Sequence, residues 1–304
     1  MLQFLKNFLN NILGIPNISE DFIKTPWGKV YVKIINSAKS NTPLFILHGG
    51  PGLPHNYLYT LHKLYKDRTI IFYDQLGCGL SDRPDNISLW NIERFVEEVK
   101  IVVDTLNLKE FHLFGHSWGT MLALDYYLKY PLGIKTLIMA SPVFDINLWI
   151  KDWNIYRRML PKQIQEILLK GDKEKNYKSS EYEMAVFKFY RHNVCRMHHW
   201  PDYLIEAGKG QGLQSYNTLW GINEFIVTGN LKNYLKSEKL TELKIPVLLT
   251  CGKYDGASPN TTEYYNSLIE NSKIKVFNES AHMPHLEEEE AYLKELKLFL
   301  KDFT

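Results

Sequence analysis

The chain is poor in cysteine: Cys78, Cys195 and Cys251 are an odd set at wide spacings in 304 residues. Domains stapled by disulfides carry even, closely spaced sets, so that class is excluded and a reducing, cytoplasmic compartment is expected. No run of 18 apolar residues occurs, which excludes a membrane-spanning helix. Excess charge is missing as well. Lys+Arg number 36 against Asp+Glu 34, a formal net charge of +2 spread along the chain. Without a basic block no nucleic-acid partner is expected, and a small-molecule or peptide substrate is the default. Internal repeats and low-complexity tracts are lacking. From Met1 to Leu13, Asn and Lys interrupt the apolar residues Leu2, Phe4, Leu5, Phe8, Leu9 and Ile12. This segment reads as an amphipathic helix packed on the body, with neither a secretory signal nor a membrane role expected.

What is present is ordinary globular material, 45% hydrophobic, in a length that suits one large domain or two. Lys29 to Ile35, after the turn residues Pro26 and Gly28, predicts a hairpin near the start of a sheet. Leu44 to Leu47 and Thr69 to Tyr73 are continuous apolar runs that empty into glycine loops, as strands buried on both faces do. A helix from about Ile92 to Leu106 separates them from another run at Phe111, and Ile134 to Ala140 is a further buried strand. Strands alternating with helices imply an α/β fold, a mostly parallel sheet with helices on both faces. From 143 to 240 the alternation stops, and the segment reads as an inserted helical cap, broken by Pro161, Gly171, Pro201, Gly208 and Gly221. Residues 1–142 and 241–304 then form the core. Alternation resumes with Pro246 to Thr250, a helix near Thr261 to Ile269, strand Ile274 to Phe277 and a last helix from about Glu287. The acidic run Glu287 to Glu290 is read as a first-turn signal facing the positive end of the helix dipole.

Gly115-His116-Ser117-Trp118-Gly119, between the run at Phe111 and a helical pattern, has the form of a nucleophile elbow, which stands a serine hydroxyl clear on a tight strand-to-helix turn. Such a motif arises by chance in about one 300-residue chain in ten, so partners must decide. A serine nucleophile needs a base, an acid to orient it and donors for the oxyanion. Asp255 and His282 each follow a late apolar run, at the carboxyl ends of strands where sites in such sheets lie. The order Ser117, Asp255, His282 is that of this elbow type. The backbone amides of Gly50, in His48-Gly49-Gly50-Pro51-Gly52, and Trp118 are the candidate oxyanion donors. His282 is preferred to His48, His116 and His285. His285 lies nearer the helix start, where capping or pairing with Glu288 or Glu289 is expected. His192, Cys195 and His199 recur at a spacing that puts them on one helical face, a set zinc accepts. The usual second ligand pair is missing, and a serine triad needs no cofactor or metal.

These glycine loops, with Asp74-Gln75-Leu76-Gly77-Cys78-Gly79, Trp220-Gly221-Ile222-Asn223-Glu224-Phe225, Gly252-Lys253-Tyr254-Asp255 and Ser280-Ala281-His282, resemble the proline iminopeptidase family of α/β-hydrolases. The resemblance runs from about Phe22 onward and is nearest to the branch containing the tricorn-interacting aminopeptidase. It implies that Ser117, Asp255 and His282 are the triad, and that Glu224 binds the free α-amino group of a short peptide or amino-acid amide. An ammonium in a closed pocket needs an opposing charge, worth about 4 kcal/mol at 4 Å with an effective dielectric near 20. In that branch a second glutamate commonly follows the triad aspartate, where this chain has Gly256; the resemblance implies release of an N-terminal residue, with proline preferred. Within enzymes the alternative is an ester or C–C bond hydrolase with the same triad. Outside them it is a ligand-binding protein on an inactive fold, which the complete triad disfavours. An aspartate nucleophile, as in dehalogenases and epoxide hydrolases, is disfavoured by Ser117. The oligomeric state has no signature in the sequence.

Overall fold

The computed structural model describes residues 16–303, so the N-terminal amphipathic segment lies outside the described residues. β1 (Asn17–Thr25) and β2 (Gly28–Asn36) form the expected hairpin. β3 (Leu44–Leu47) and β4 (Ile70–Tyr73) flank a 3-10 helix at His55–Lys66, and α1 (Ile92–Thr105) follows. β5 (Phe111–His116), α2 (Trp118–Lys129) and β6 (Ile134–Ala140) complete the first half. The eight-stranded sheet has the order β1-β2-β4-β3-β5-β6-β9-β10, with β9 (Val247–Gly252) and β10 (Ser272–Phe277) supplied by the last part of the chain. β2 is antiparallel to both of its neighbours; from β4 to β10 the pairing is parallel.

The continuous apolar runs have a direct reason. Side chains alternate across a strand, and helices cover both faces here. Phe45 and Leu47 of β3 therefore enter one core layer, with Leu113 and Met139, while Leu44 and Ile46 enter the other, with Phe114 and Ile138. Each buried side chain of this kind contributes about 1.5–3 kcal/mol relative to exposure. β10, at the sheet edge, instead alternates Lys273 and Lys275 with Ile274 and Val276.

Between β6 and β9 lies a mostly helical insertion: α3 (Ile146–Arg158), α4 (Lys162–Glu174), α5 (Ser180–Asn193), α6 (Asp202–Lys209) and α7 (Leu213–Leu219). Pro161 and Pro201 sit at the N-termini of α4 and α6, where a missing N–H costs nothing. Two of the expected breaks are corrected, because Gly171 and Gly208 lie inside α4 and α6. A Cβ at Gly171 would stand 2.2 Å from the Tyr182 ring, so this glycine serves helix packing. The insertion also contains a small hairpin, β7 (Gly221–Asn223) and β8 (Ile226–Val227), too short to read from periodicity. After β9 come α8 (Pro259–Ser267), β10, the short α9 (Pro284–Glu287) and α10 (Glu289–Lys301).

Candidate active site

β5 ends at His116 in the middle of the parallel sheet, and α2 starts immediately at Trp118. Ser117, between them, has φ 55° and ψ −122°, a backbone that places its side chain on the outside of the turn. The two motif glycines permit this by close approach. A Cβ at Gly115 would lie 2.3 Å from the Gly119 carbonyl, and one at Gly119 would lie 2.3 Å from the Leu47 carbonyl. The amides of Gly50 and Trp118 donate to no acceptor among the described residues. Gln75 braces their surroundings, donating to the His48 carbonyl at 2.9 Å and accepting from the Trp118 indole at 2.8 Å.

Asp255 lies in the loop after β9 and His282 in the loop after β10, adjacent because β9 and β10 are paired in parallel. His282 Nδ1 is 2.6 Å from Asp255 Oδ1, which also accepts the Ala257 amide at 2.8 Å. Burial disfavours the imidazolium of His282. The Asp255 carboxylate, its hydrogen bond and the charges of Glu224 and Glu287 outweigh this and hold His282 above its ordinary pKa. The other candidate histidines differ. His48 Nε2 accepts the Gln75 amide, and burial pulls its pKa down to about 4. His285 is pulled down to about 3 by burial; its Nε2 faces the Tyr57 carbonyl, and it pairs with neither Glu288 nor Glu289.

The acidic run has a second use that its helix-start reading missed. Glu287 accepts the amides of Arg196, Ala281 and Met283, and Glu288 accepts from the Glu279 amide and the Ser280 hydroxyl. Two of the four carboxylates therefore fasten the loop that carries His282. The first-turn reading holds for Glu289 and Glu290 of α10.

Ser117, His282, Gly50 and Glu224 line one cavity of about 200 Å³, walled by Tyr190, Tyr216, Trp200 and Leu204 among others. Larger clefts of about 440 and 570 Å³ lie on the insertion, lined by α3 with α4 and by α4 with α5; neither is lined by a histidine or a cysteine.

Glu224 occupies the turn of the β7–β8 hairpin, and three insertion helices hold it. The Tyr216 hydroxyl of α7 donates to its Oε1 at 3.1 Å, the Trp149 indole of α3 donates to its carbonyl at 2.6 Å, and its own amide donates to the Tyr190 hydroxyl of α5 at 3.3 Å. Burial raises its carboxyl to about 7, although the charge of His282 and the Tyr216 hydroxyl both pull it down. No sequence spacing announced this clamp, because its members come from separate helices.

Gly256 has a structural counterpart. The Trp153 indole of α3 stands 2.0 Å from where a Cβ would be, so it fills the place of any side chain at that position. The one-face spacing of His192, Cys195 and His199 is corrected. α5 stops at Asn193, Cys195 is buried, and the two histidines are exposed. Among the described residues no group of three His, Cys, Asp or Glu is placed to hold a metal.

A family model described as the alpha/beta hydrolase fold matches residues 42–289. The proline iminopeptidase of Heyndrickxia coagulans is 43% identical over 283 residues, covering 93% of this chain and 98% of that protein. Among solved structures, VinJ superposes with a TM-score of 0.90 at 27% identity, covering 94% of this chain and 99% of its own. The proline iminopeptidase of Mycobacterium smegmatis does so with a TM-score of 0.88 at 28% identity, covering 94% and 98%.

Proposed function

The chain belongs to the proline iminopeptidase family of α/β-hydrolases, and from that membership we propose the reaction in terms of its own residues. It is a serine hydrolase of the prolyl aminopeptidase type. Ser117 Oγ attacks the carbonyl carbon of the first residue while His282 takes the hydroxyl proton; the Gly50 and Trp118 amides receive the negative charge that develops on oxygen. Collapse expels the amine of the second residue, protonated by His282, and leaves an acyl-enzyme. Water, deprotonated by the same imidazole, releases the amino acid. Asp255 holds the tautomer and offsets the charge on His282. Glu224 receives the α-ammonium, which makes the substrate a peptide or amino-acid amide with a free N-terminus, proline preferred.

One observation carries this reading: a lone carboxylate, Glu224, faces the same small cavity as Ser117 and His282. A neutral ester carries no charge for a buried carboxylate to meet. Segment 143–240 acts as the cap that closes the cavity, and Trp153 in place of a second glutamate leaves Glu224 to bind the ammonium with the tyrosine hydroxyls. The partners are short peptides, with neither nucleic acid nor membrane. No helix among the described residues is long and apolar enough to cross a membrane. Three buried, unpaired cysteines support a cytoplasmic setting.

The test is a panel of aminoacyl p-nitroanilides and one neutral acyl ester, with Ser117→Ala as the blank. Turnover of prolyl and other free-amine anilides is expected. Efficient ester hydrolysis with no anilide turnover would overturn the reading.

A further inference from the structure

His116 and Tyr57 line the cavity beside Ser117, yet the reaction above gives them nothing to do. Their hydrogen bonds form a chain whose direction is fixed at both ends. The Gly49 amide, which can only donate, donates to the Tyr57 hydroxyl at 2.8 Å. The His282 carbonyl, which can only accept, lies 2.8 Å from His116 Nε2. Nε2 must therefore carry a proton. Burial, with His282 and His285 close by, holds His116 well below its ordinary pKa, so it is neutral and its Nδ1 is an acceptor. The Tyr57 hydroxyl, 2.8 Å from Nδ1, donates to it. Each donor along the line is used once: Gly49 to Tyr57, Tyr57 to His116, His116 to His282.

The two ends of this line are the two parts of the reaction that must keep a fixed separation. Gly49 precedes the proposed oxyanion amide of Gly50, and His282 carries the proposed base. The rings are held from the far side as well. His285 packs edge-on against Tyr57 and His116, with centroids at 5.6 and 5.2 Å, and Thr60 Oγ1 donates to its carbonyl at 3.1 Å. Ser141 Oγ adds a second donor to the His282 carbonyl at 3.1 Å.

We propose that Tyr57 and His116 are positioning residues: through this directed chain they tie the oxyanion loop to the loop of the catalytic histidine and set the distance between them. The proposal rests on the reading of Ser117, His282 and Gly50 given above.

The experiment compares Tyr57→Phe, His116→Asn, His116→Gln and the Tyr57→Phe/His116→Asn double variant. The readouts are kcat and KM on prolyl p-nitroanilide, inhibition by a prolyl boronate and inhibition by free proline. The boronate forms a tetrahedral adduct with Ser117 and needs the oxyanion amides, whereas proline binds without an adduct. Tyr57→Phe and His116→Asn should each lower kcat about tenfold with KM changed less than about twofold. Boronate affinity should fall by the same factor while proline affinity stays. His116→Gln, whose side-chain amide reaches as far as Nε2, should keep most of the rate. The double variant should be no worse than the poorer single one, since both break the same chain. If kcat survives in both single variants, if boronate and proline weaken equally, or if the two losses multiply, the proposal is overturned. Should Tyr57→Phe fail to fold, the contrast between His116→Asn and His116→Gln decides it. A wild-type protein without anilide turnover sinks the functional reading instead.

Discussion

In the proposed reaction Glu224 is where specificity and pH meet. Its carboxyl, raised to about 7 by burial, must ionise to attract an ammonium. As pH falls through 7 the proton returns and the attraction is lost. kcat/KM on free-amine substrates should therefore climb between about pH 6 and 8, and then fall as the substrate amine, with a pKa of about 8, loses its own proton. A neutral ester should show only the His282 limb, and Glu224→Gln should make the anilide and ester profiles coincide in shape; steady-state rates across pH check both. Replacement by Ala should cost anilides about two to three powers of ten in kcat/KM, the size of one partly screened charge pair, while ester rates stay within a few-fold. Loss on both substrates alike would place Glu224 in the scaffold rather than in recognition.

The His282 loop depends on a neighbouring element for its shape. Glu287, on α9, accepts three backbone amides that flank His282 in sequence or in space, one of them, Arg196, from the insertion. Glu287→Ala would leave these donors without their carboxylate in a half-buried place, at about 1–2 kcal/mol, the lower part of the range for an unsatisfied group. Its melting temperature should drop by about 2–3 °C, and kcat should fall with it; Glu287→Gln should recover part of both. Differential scanning calorimetry alongside kinetics reads this directly. α3 makes a comparable demand. Gly256→Glu must displace the Trp153 ring, so the single variant should be destabilised, and Trp153→Ala/Gly256→Glu should be more stable than the sum of its parts predicts. Thermal unfolding of the three proteins checks that coupling.

Sheet and insertion meet around the cavity, with each contributing backbone to the other. The His282 amide donates to the Val194 carbonyl, Asn193 Nδ2 to the Tyr254 carbonyl, and the Gly212 amide to the Gly52 carbonyl. A prolyl boronate bound at Ser117 should therefore slow amide exchange together at 193–196, 280–283 and 49–53, although these stretches are far apart in sequence. Exchange measured by mass spectrometry would show protection confined to the sheet loops if the insertion were not part of the site.

How much of this was readable beforehand follows from range. The continuous runs at Leu44, Ile70 and Val247 announced strands because burial on both faces demands apolar residues at every position. The elbow, the glycine loop, Asp255 and His282 were legible because each is a local solution at a strand end, and parallel pairing then brings those ends side by side. Glu224 came from resemblance, since its hairpin is too short to leave a period. The Tyr57–His116 chain, the Glu287 fastening, the Trp149, Tyr190 and Tyr216 clamp and the Trp153 ring over Gly256 left no local mark. Each of these includes a partner far away along the chain, such as Arg196 for Glu287, Trp149 for Glu224 and Tyr57 for His116, and a contact between two distant side chains does not constrain the residues between them. The sequence by itself therefore determined the class of sheet and the kind of nucleophile. Tertiary structure alone decided which histidine faces Asp255, what holds Glu224 and how the loops of Gly49 and His282 are joined, because those depend on distances only the folded chain sets.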